Sequence, residues 1–172
     1  MKKHLNKILA LAFSGVSIFA TACGKNIDKS VAESPDVMAC RVINSIVSQD
    51  EDEYIEIHPD SISSPHDNYD YLMAEYGLRC QRYGIDCDKD YTYKDLSLCI
   101  TSDEDTTSGR IHYKAFLDET MIFNLSVYYD IQKEGYVVDR MQATLSSEER
   151  MTKSQSEEHG YKMIDTSQIE IY

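Results

Sequence analysis

The apolar residues of the chain follow two different spacings, and the change falls near Tyr91. Before that point they recur every three or four residues, which is typical of helices with one buried face. The first helix begins at Ser34-Pro35, where serine can cap the free N–H groups and proline suits the first turn. The last ends at Gly84, a natural helix stop. Three helices are therefore predicted, over residues 34–48, 50–58 and 64–84.

From Tyr91 onward the apolar residues alternate with polar ones, which is typical of strands with one buried face. Short polar turns separate four such strands, so they form an antiparallel meander. The third strand, from Met121 to Ile131, is the longest, and its more apolar face is predicted to lie against the first helix. The predicted buried positions are Leu96, Leu98, Ile100, Ile111, Tyr113, Ala115, Leu117, Met121, Phe123, Leu125, Val127, Tyr129, Ile131, Val137, Met141, Ala143 and Leu145.

These elements predict an α+β fold with three N-terminal helices packed on a four-stranded antiparallel sheet. The strands give way to a polar segment over residues 147–172. We expect this segment to be a tail, with a short helix near Ser147 or an edge strand at Ile169–Tyr172.

The first 22 residues have the composition of an export signal, with a basic head, an apolar run from Ile8 to Phe19 and small residues before Cys23. The apolar run is shorter than the roughly 20 residues that cross a bilayer as a helix. Cleavage before Cys23 fits ordinary secretion as a soluble protein. The same residues, Thr21-Ala22-Cys23-Gly24, also resemble the lipobox of bacterial lipoproteins, although Ala20 stands where that family usually has leucine.

The cysteine count favours the lipobox interpretation. The chain has five cysteines, and an odd cysteine in an exported protein needs a role. Lipid attachment to Cys23 would supply that role and leave Cys40, Cys80, Cys87 and Cys99. These four allow three disulfide pairings. Cys80–Cys87 is the most favoured, because the two lie close together across a predicted helix end, whereas Cys40 on a helix face has the alternative of being a buried apolar residue.

The charge of the chain excludes some partners. Its net charge is −13, and removal of the leader, which has three lysines and no acidic residue, leaves −16. Such a surface repels nucleic acid and anionic headgroups, so nucleic acid is not expected as a partner. Roughly 150 residues remain after the leader, which suits one domain.

The order of these elements resembles the small Firmicute lipoproteins of unknown function that carry an NTF2-like (cystatin-like) domain behind a lipobox. The features that carry the resemblance are the tether at 23–33, the helix at 34–48, the acidic run at 49–53 that follows it, and the strands from Tyr91 to Leu145. The resemblance covers residues 34–146 and implies a curved sheet wrapped around a helix, often with a conical pocket. Such folds host isomerases, dehydratases, binding modules and structural subunits, so the resemblance does not specify a function.

A catalytic alternative depends on that pocket. Counting by two along the last strand places Asp139 on the face of Val137 and Met141, and Tyr113 and Tyr129 on the matching faces of their strands. A carboxyl group among apolar side chains would have a raised pKa and could transfer protons beside a tyrosine. The opposing interpretation is that Asp139 lies at the wet rim near the strand start.

The remaining motifs carry little chemistry. The run Asp86–Asp90 resembles the start of a calcium loop, but Tyr91 and Ser97 occupy the positions where an EF-hand needs glycine and glutamate. The histidines lack metal-ligand spacing, so no metal, cofactor or catalytic set is predicted. The sequence therefore favours a membrane-anchored extracytoplasmic module that binds a protein or small molecule. The alternative is a small isomerase or hydrolase that uses Asp139 and a tyrosine.

Overall fold

A computed structural model describes residues 28–58, 64–101, 109–142 and 151–171. It confirms the predicted α+β fold, with three N-terminal helices packed on an antiparallel sheet. The helices are α1 (Pro35–Val47), α2 (Glu51–Ile57), α3 (Pro65–Tyr83) and α4 (Lys153–Glu158). The strands are β1 (Ser97–Ile100), β2 (Arg110–Leu117), β3 (Thr120–Asp130), β4 (Gly135–Gln142) and β5 (Lys162–Ile164).

The predicted helix boundaries follow from their caps. The Ser34 hydroxyl accepts a hydrogen bond from the Val37 backbone N–H at 3.2 Å, and the Asp50 carboxylate accepts one from Glu53 at 2.9 Å. Each bond satisfies a backbone donor that the first turn of a helix leaves unpaired. Gly84 ends α3 in the left-handed conformation, with φ of 68°, which glycine adopts at little cost.

The sheet has five strands in the order β4-β3-β2-β1-β5, all antiparallel, so the prediction of four strands was one short. The added strand, β5, comes from the segment that was expected to be a tail and pairs with β1. Residues 169–171 form no strand, so the predicted edge strand there was misplaced. This segment nevertheless contacts the domain, because the Tyr93 hydroxyl donates to the Ile169 carbonyl at 2.7 Å.

The main core lies between the three N-terminal helices and one face of the sheet, here called the helix face. Ile43 and Ile46 of α1 are fully buried in the same cluster as Phe123, Leu125 and Val127 of β3. This part of the predicted register is therefore confirmed. The opposite face of the sheet is called the outer face below.

The register of β3 differs from strict alternation near its start. Phe123 pairs with Ala115 and Met121 with Phe116, so Ile122 is an extra residue in a β-bulge. Ile122 joins the core on the helix face, and Met121 packs on the outer face instead. Tyr129 and Ile131 were also predicted to be buried, and this is wrong for another reason. They lie at the far end of the strand, where they are 49% and 83% exposed.

The segment before α1 packs on the domain. Ala32 exchanges two backbone hydrogen bonds with Tyr136 at the edge of β4. The carbonyl of Val31 accepts from the buried Arg41 guanidinium at 3.1 Å. A Cβ atom at Gly135 would overlap the Val31 side chain, so glycine is required for this close approach. Residues 28–33, which were expected to belong to the tether, are thus held against the sheet edge.

Several sequence predictions concern residues outside the described ranges. These are the leader at 1–22, the lipidation site Cys23, the acidic run at 103–105 and the strand end at 143–145. Within the ranges that the structure describes, no helix is both long and apolar enough to cross a membrane.

Candidate functional site

Polar side chains lie in two adjacent rows on the outer face of β2, β3 and β4. Side chains of register partners in an antiparallel sheet lie side by side on the same face. Neighbouring strands are about 4.8 Å apart, and successive rows on one face are about 7 Å apart along the strand. Two adjacent rows cross the three strands: His112–Ser126–Arg140 and Lys114–Asn124–Gln142.

Five of these six side chains line a recess of about 230 Å³, here called the polar recess. It is lined by His112, Asn124, Leu125, Ser126, Arg140 and Gln142. Ser126 lies at its buried floor with 5% exposure, whereas Arg140 is exposed at its rim. The side-chain oxygen of Gln142 accepts from Arg140 Nε at 3.0 Å and from Nη2 in the amide orientation that satisfies both groups. None of the described lining residues is acidic.

Asp139 lies beside this recess because of a second β-bulge. Val138 pairs with Val127 and Arg140 pairs with Ser126, so Asp139 is the extra residue. Its carboxylate accepts from Arg110 Nε at 2.7 Å, from Arg110 Nη2 at 3.2 Å and from the Ser126 hydroxyl at 3.1 Å. Asp139 therefore belongs to the outer face, and the expectation that it shares a face with Met141 is wrong.

The pKa of Asp139 also differs from the expectation. The hydrogen bonds from Arg110 lower it below the usual value for an aspartate, and they outweigh the opposing effect of partial burial. The predicted raised pKa required an apolar setting without a cationic partner. An ionised, bidentate carboxylate of this kind holds Arg110 in place and is a poor proton donor near neutral pH.

Tyr113 lies on the other side of the sheet. It is fully buried on the helix face, and its hydroxyl donates to the Asp36 carboxylate of α1 at 2.6 Å. Burial, followed by the hydrogen bond to Asp36, raises the pKa of Tyr113. Tyr129 is half exposed, and its ring packs edge-on against Tyr136 at 5.2 Å. The structure therefore does not bring Tyr113, Tyr129 and Asp139 together.

A second recess, of about 250 Å³, lies between α3 and the turn before β3. Its polar groups hold chain segments together. The Glu119 carboxylate accepts from the Ser154 backbone N–H at 3.0 Å and from its hydroxyl at 2.9 Å, which anchors α4. Arg79 donates to the Met121 carbonyl at 3.3 Å. These contacts give this recess a structural role.

Cys80 and Cys87 are both free thiols. Cys80 is fully buried at the end of α3, and Cys87 is partly exposed in the following loop. Burial raises the pKa of Cys80 to about 12, with the neighbouring Cys87 adding to the shift. The predicted disulfide between them stays a prediction. Cys40 is fully buried on α1, and burial raises its pKa to about 12.

A buried polar cluster between α2 and α3 was not anticipated from the sequence. His58 Nε2 lies 2.5 Å from the Tyr54 hydroxyl, and the Asn68 amide donates to that hydroxyl at 2.6 Å. Burial lowers the pKa of His58 to about 4. The spacing of Tyr54 and His58, one helical turn apart, was the available signal for this contact.

Metal binding has little support in the described ranges, where no group of three His, Cys, Asp or Glu side chains is arranged to hold a metal ion. In the predicted acidic turn, the Asp88 backbone N–H donates to the Asp86 carboxylate at 3.1 Å. Asp86, Asp88 and Asp90 are exposed to solvent.

Sequence reasoning missed the residues that form the polar recess. The signal was present, because Arg110, His112 and Lys114 alternate along β2 as three basic or titratable side chains in an acidic protein. On its own, this alternation predicts no more than a strand with one solvated face. Its partners on β3 and β4 could be identified once the register was known.

The fold defines a class: an α+β protein whose N-terminal helices pack on a five-stranded antiparallel sheet, consistent with an NTF2-like or cystatin-like arrangement. No protein-family model, curated protein or solved structure matches the chain.

Proposed function

We propose that this chain is a lipid-anchored binding module on the extracytoplasmic face of the cell membrane, and that it binds its ligand at the polar recess. The run Thr21-Ala22-Cys23-Gly24 supports lipid attachment at Cys23. The resemblance to small Firmicute lipoproteins with an NTF2-like domain supports the same placement.

The polar recess is the observation that carries the binding part of the proposal. It combines an exposed guanidinium at Arg140, a buried hydroxyl at Ser126 and two side-chain amides within about 230 Å³. Convergent polar groups in a concave site fix the orientation of a bound ligand. The nearby carboxylate of Asp139 is bound to Arg110. It is therefore better suited to holding side chains in position for a ligand than to transferring a proton. The isomerase or hydrolase alternative relied on Asp139 and a tyrosine acting together, and it has no comparable support.

Anchoring is tested with the full chain expressed from its own leader. Cys23→Ser is expected to abolish incorporation of labelled palmitate and to move the protein from the membrane fraction to the medium, or leave it uncleaved. Ala20→Leu is the matched control, because it introduces the residue usual in a lipobox and should keep the protein on the membrane. A wild type that incorporates no palmitate and has an unmodified Cys23 at its N-terminus would support the soluble secreted alternative.

Binding is tested separately by native mass spectrometry of the processed chain released from membranes in mild detergent. A small molecule retained by the wild type and lost from Arg140→Glu is the expected result. A ligand that Arg140→Glu retains would place the binding site elsewhere.

A further inference from the structure

We infer that the polar recess binds a small, soluble oxyanion, that is, a carboxylate or phosphate group on a small molecule. This inference rests on the proposed function and adds the chemical class of the ligand. It depends on local charge, on the donors in the recess, and on its size.

The local charge is opposite in sign to that of the protein. The chain as a whole is at −13. Among the described residues of β2, β3 and β4 at or beside the recess, Arg110, Lys114 and Arg140 are cationic and Asp139 is acidic. A cationic recess in an acidic surface concentrates the electric field locally and attracts an anion of matching size.

The three cations that the structure describes at the recess differ in their partners. Arg110 is bound by the Asp139 carboxylate through two hydrogen bonds. Lys114 is 7% exposed, and its ammonium lies over the Tyr161 ring at 5.0 Å from the centroid. Arg140 is exposed and lines the recess itself. Its contact with Gln142 is to a neutral amide, so its charge is not neutralised by that contact.

The donors around Arg140 suit an oxyanion. The side-chain oxygen of Gln142 accepts from Arg140 in the orientation that also satisfies the amide nitrogen, so Gln142 holds the guanidinium at the recess. His112 lies two strands away in the same row as Arg140, with Ser126 between them. Guanidinium groups bind carboxylates and phosphates through paired hydrogen bonds, and these charge-assisted bonds are about twice as strong as neutral ones.

The size of the recess limits the ligand. Its volume of about 230 Å³ lies below the roughly 300–1,000 Å³ of pockets for drug-sized ligands. A small dicarboxylate or a phosphate fits this limit. A membrane headgroup is disfavoured as the source, because the whole protein is strongly acidic and anionic bilayers repel it.

The test is isothermal titration of the full chain, expressed with its own leader, processed, and purified in a neutral detergent. The probes are inorganic phosphate and succinate, with ionic strength held constant by sodium chloride. We expect saturable binding of at least one probe at one site per chain. The third arm removes the detergent and compares vesicles of phosphatidylglycerol with vesicles of phosphatidylcholine. Only the binding that phosphatidylglycerol adds is counted as headgroup recognition, because the lipid anchor inserts into both.

Two recess variants and one control locate the site. Arg140→Gln should weaken binding about tenfold or more, because it removes a charge-assisted hydrogen bond to the anion. Gln142→Glu places a carboxylate in the recess and should abolish binding. Arg82→Gln removes the same charge at an exposed position in the last turn of α3 and should leave the affinity unchanged. Thermal melts should show that all three variants remain folded.

Three results would overturn the inference: no saturable binding of either probe, binding that Arg140→Gln leaves unchanged, or binding to vesicles alone. None of these would by itself refute the proposed function. A lipidated protein that retains a neutral ligand at the recess in native mass spectrometry would keep that proposal and reject the oxyanion.

Discussion

Replacing His58 should reduce the loss of stability that this protein shows between pH 7 and pH 5. His58 follows α2 and is 7% exposed. The Asn68 amide lies 3.3 Å from His58 Nε2 and can only donate, so Nε2 is the acceptor and the neutral ring carries its proton on Nδ1. A second proton on Nε2 would face both this amide and the Tyr54 hydroxyl. Burial lowers the pKa of His58 from 6.5 to about 4, so the folded state keeps the ring neutral.

The sign of the effect follows from proton linkage. The unfolded chain binds a proton at His58 as pH falls through about 6.5, whereas the folded chain does so only near pH 4. Stability from the neutral ring is therefore fully present above pH 6.5 and is lost between pH 6.5 and 4. With these two pKa values, the loss between pH 7 and pH 5 is roughly 2 kcal/mol. That is a large share of the 5–15 kcal/mol typical of a domain.

Urea unfolding of the full, processed chain at pH 7 and pH 5 measures this loss. His58→Gln should be less stable than the wild type at pH 7, because it disturbs the contacts with Tyr54 and Asn68. Its further loss on going to pH 5 should be smaller than that of the wild type by about 2 kcal/mol. His66→Gln is the control for the loss of an exposed imidazole, because its side chain is 68% exposed. Equal pH dependence in wild type and His58→Gln would refute the assignment of a neutral, buried ring.

Two other predictions concern the core and the cysteines. Phe123→Ala should lower the free energy of unfolding by about 3–5 kcal/mol in urea melts, because the ring is fully buried and packs 5.7 Å from the Tyr76 ring. Asn124→Ala on the outer face should cost clearly less than Phe123→Ala, because it leaves no large cavity in the main core, and equal losses would contradict the register. A Cys80–Cys87 bridge should add roughly 2.5 kcal/mol under oxidising conditions in the chain-entropy model, with Cys87→Ser insensitive to reductant. Peptide mapping that recovers both thiols free from the oxidised protein would refute the bridge.

The helices could be predicted because their signals are local. Ser34 and Asp50 cap their own helices with side chains three residues from the donor, and Gly84 ends α3 through its own φ angle. Such signals depend on a few neighbouring residues and so can be read from one sequence. The change of period near Tyr91 likewise predicted the helix-to-sheet transition.

The strand faces were predicted only in part, because two β-bulges interrupt the alternation. Ile122 and Asp139 each lack a register partner, and every residue beyond a bulge changes face relative to a strict count by two. Neither position carries a glycine that would mark a bulge in the sequence. The bulge at Asp139 moved this carboxylate from the predicted apolar pocket to the guanidinium of Arg110, which reversed its expected pKa shift.

The C-terminal segment explains why the candidate site lies on the outer face. Cys99, Phe116 and Met121 form a buried apolar cluster there, covered by Tyr161 and Met163 on and beside β5. A sheet with apolar residues on both faces needs a cover on each side. Phe116 and Cys99 alternate with core residues, so they were the signal that residues 151–171 belong to the domain.

The C-terminal segment also covers Lys114, whose ammonium lies against Tyr161. In the described part of the chain, the polar recess follows directly, in the rows of Lys114 and of His112. At the centre of the helix face, the side chains of Tyr113 and Phe123 are fully buried. A ligand at the recess would be flanked by the covered half of the sheet, which gives it partial enclosure without a pocket in the main core.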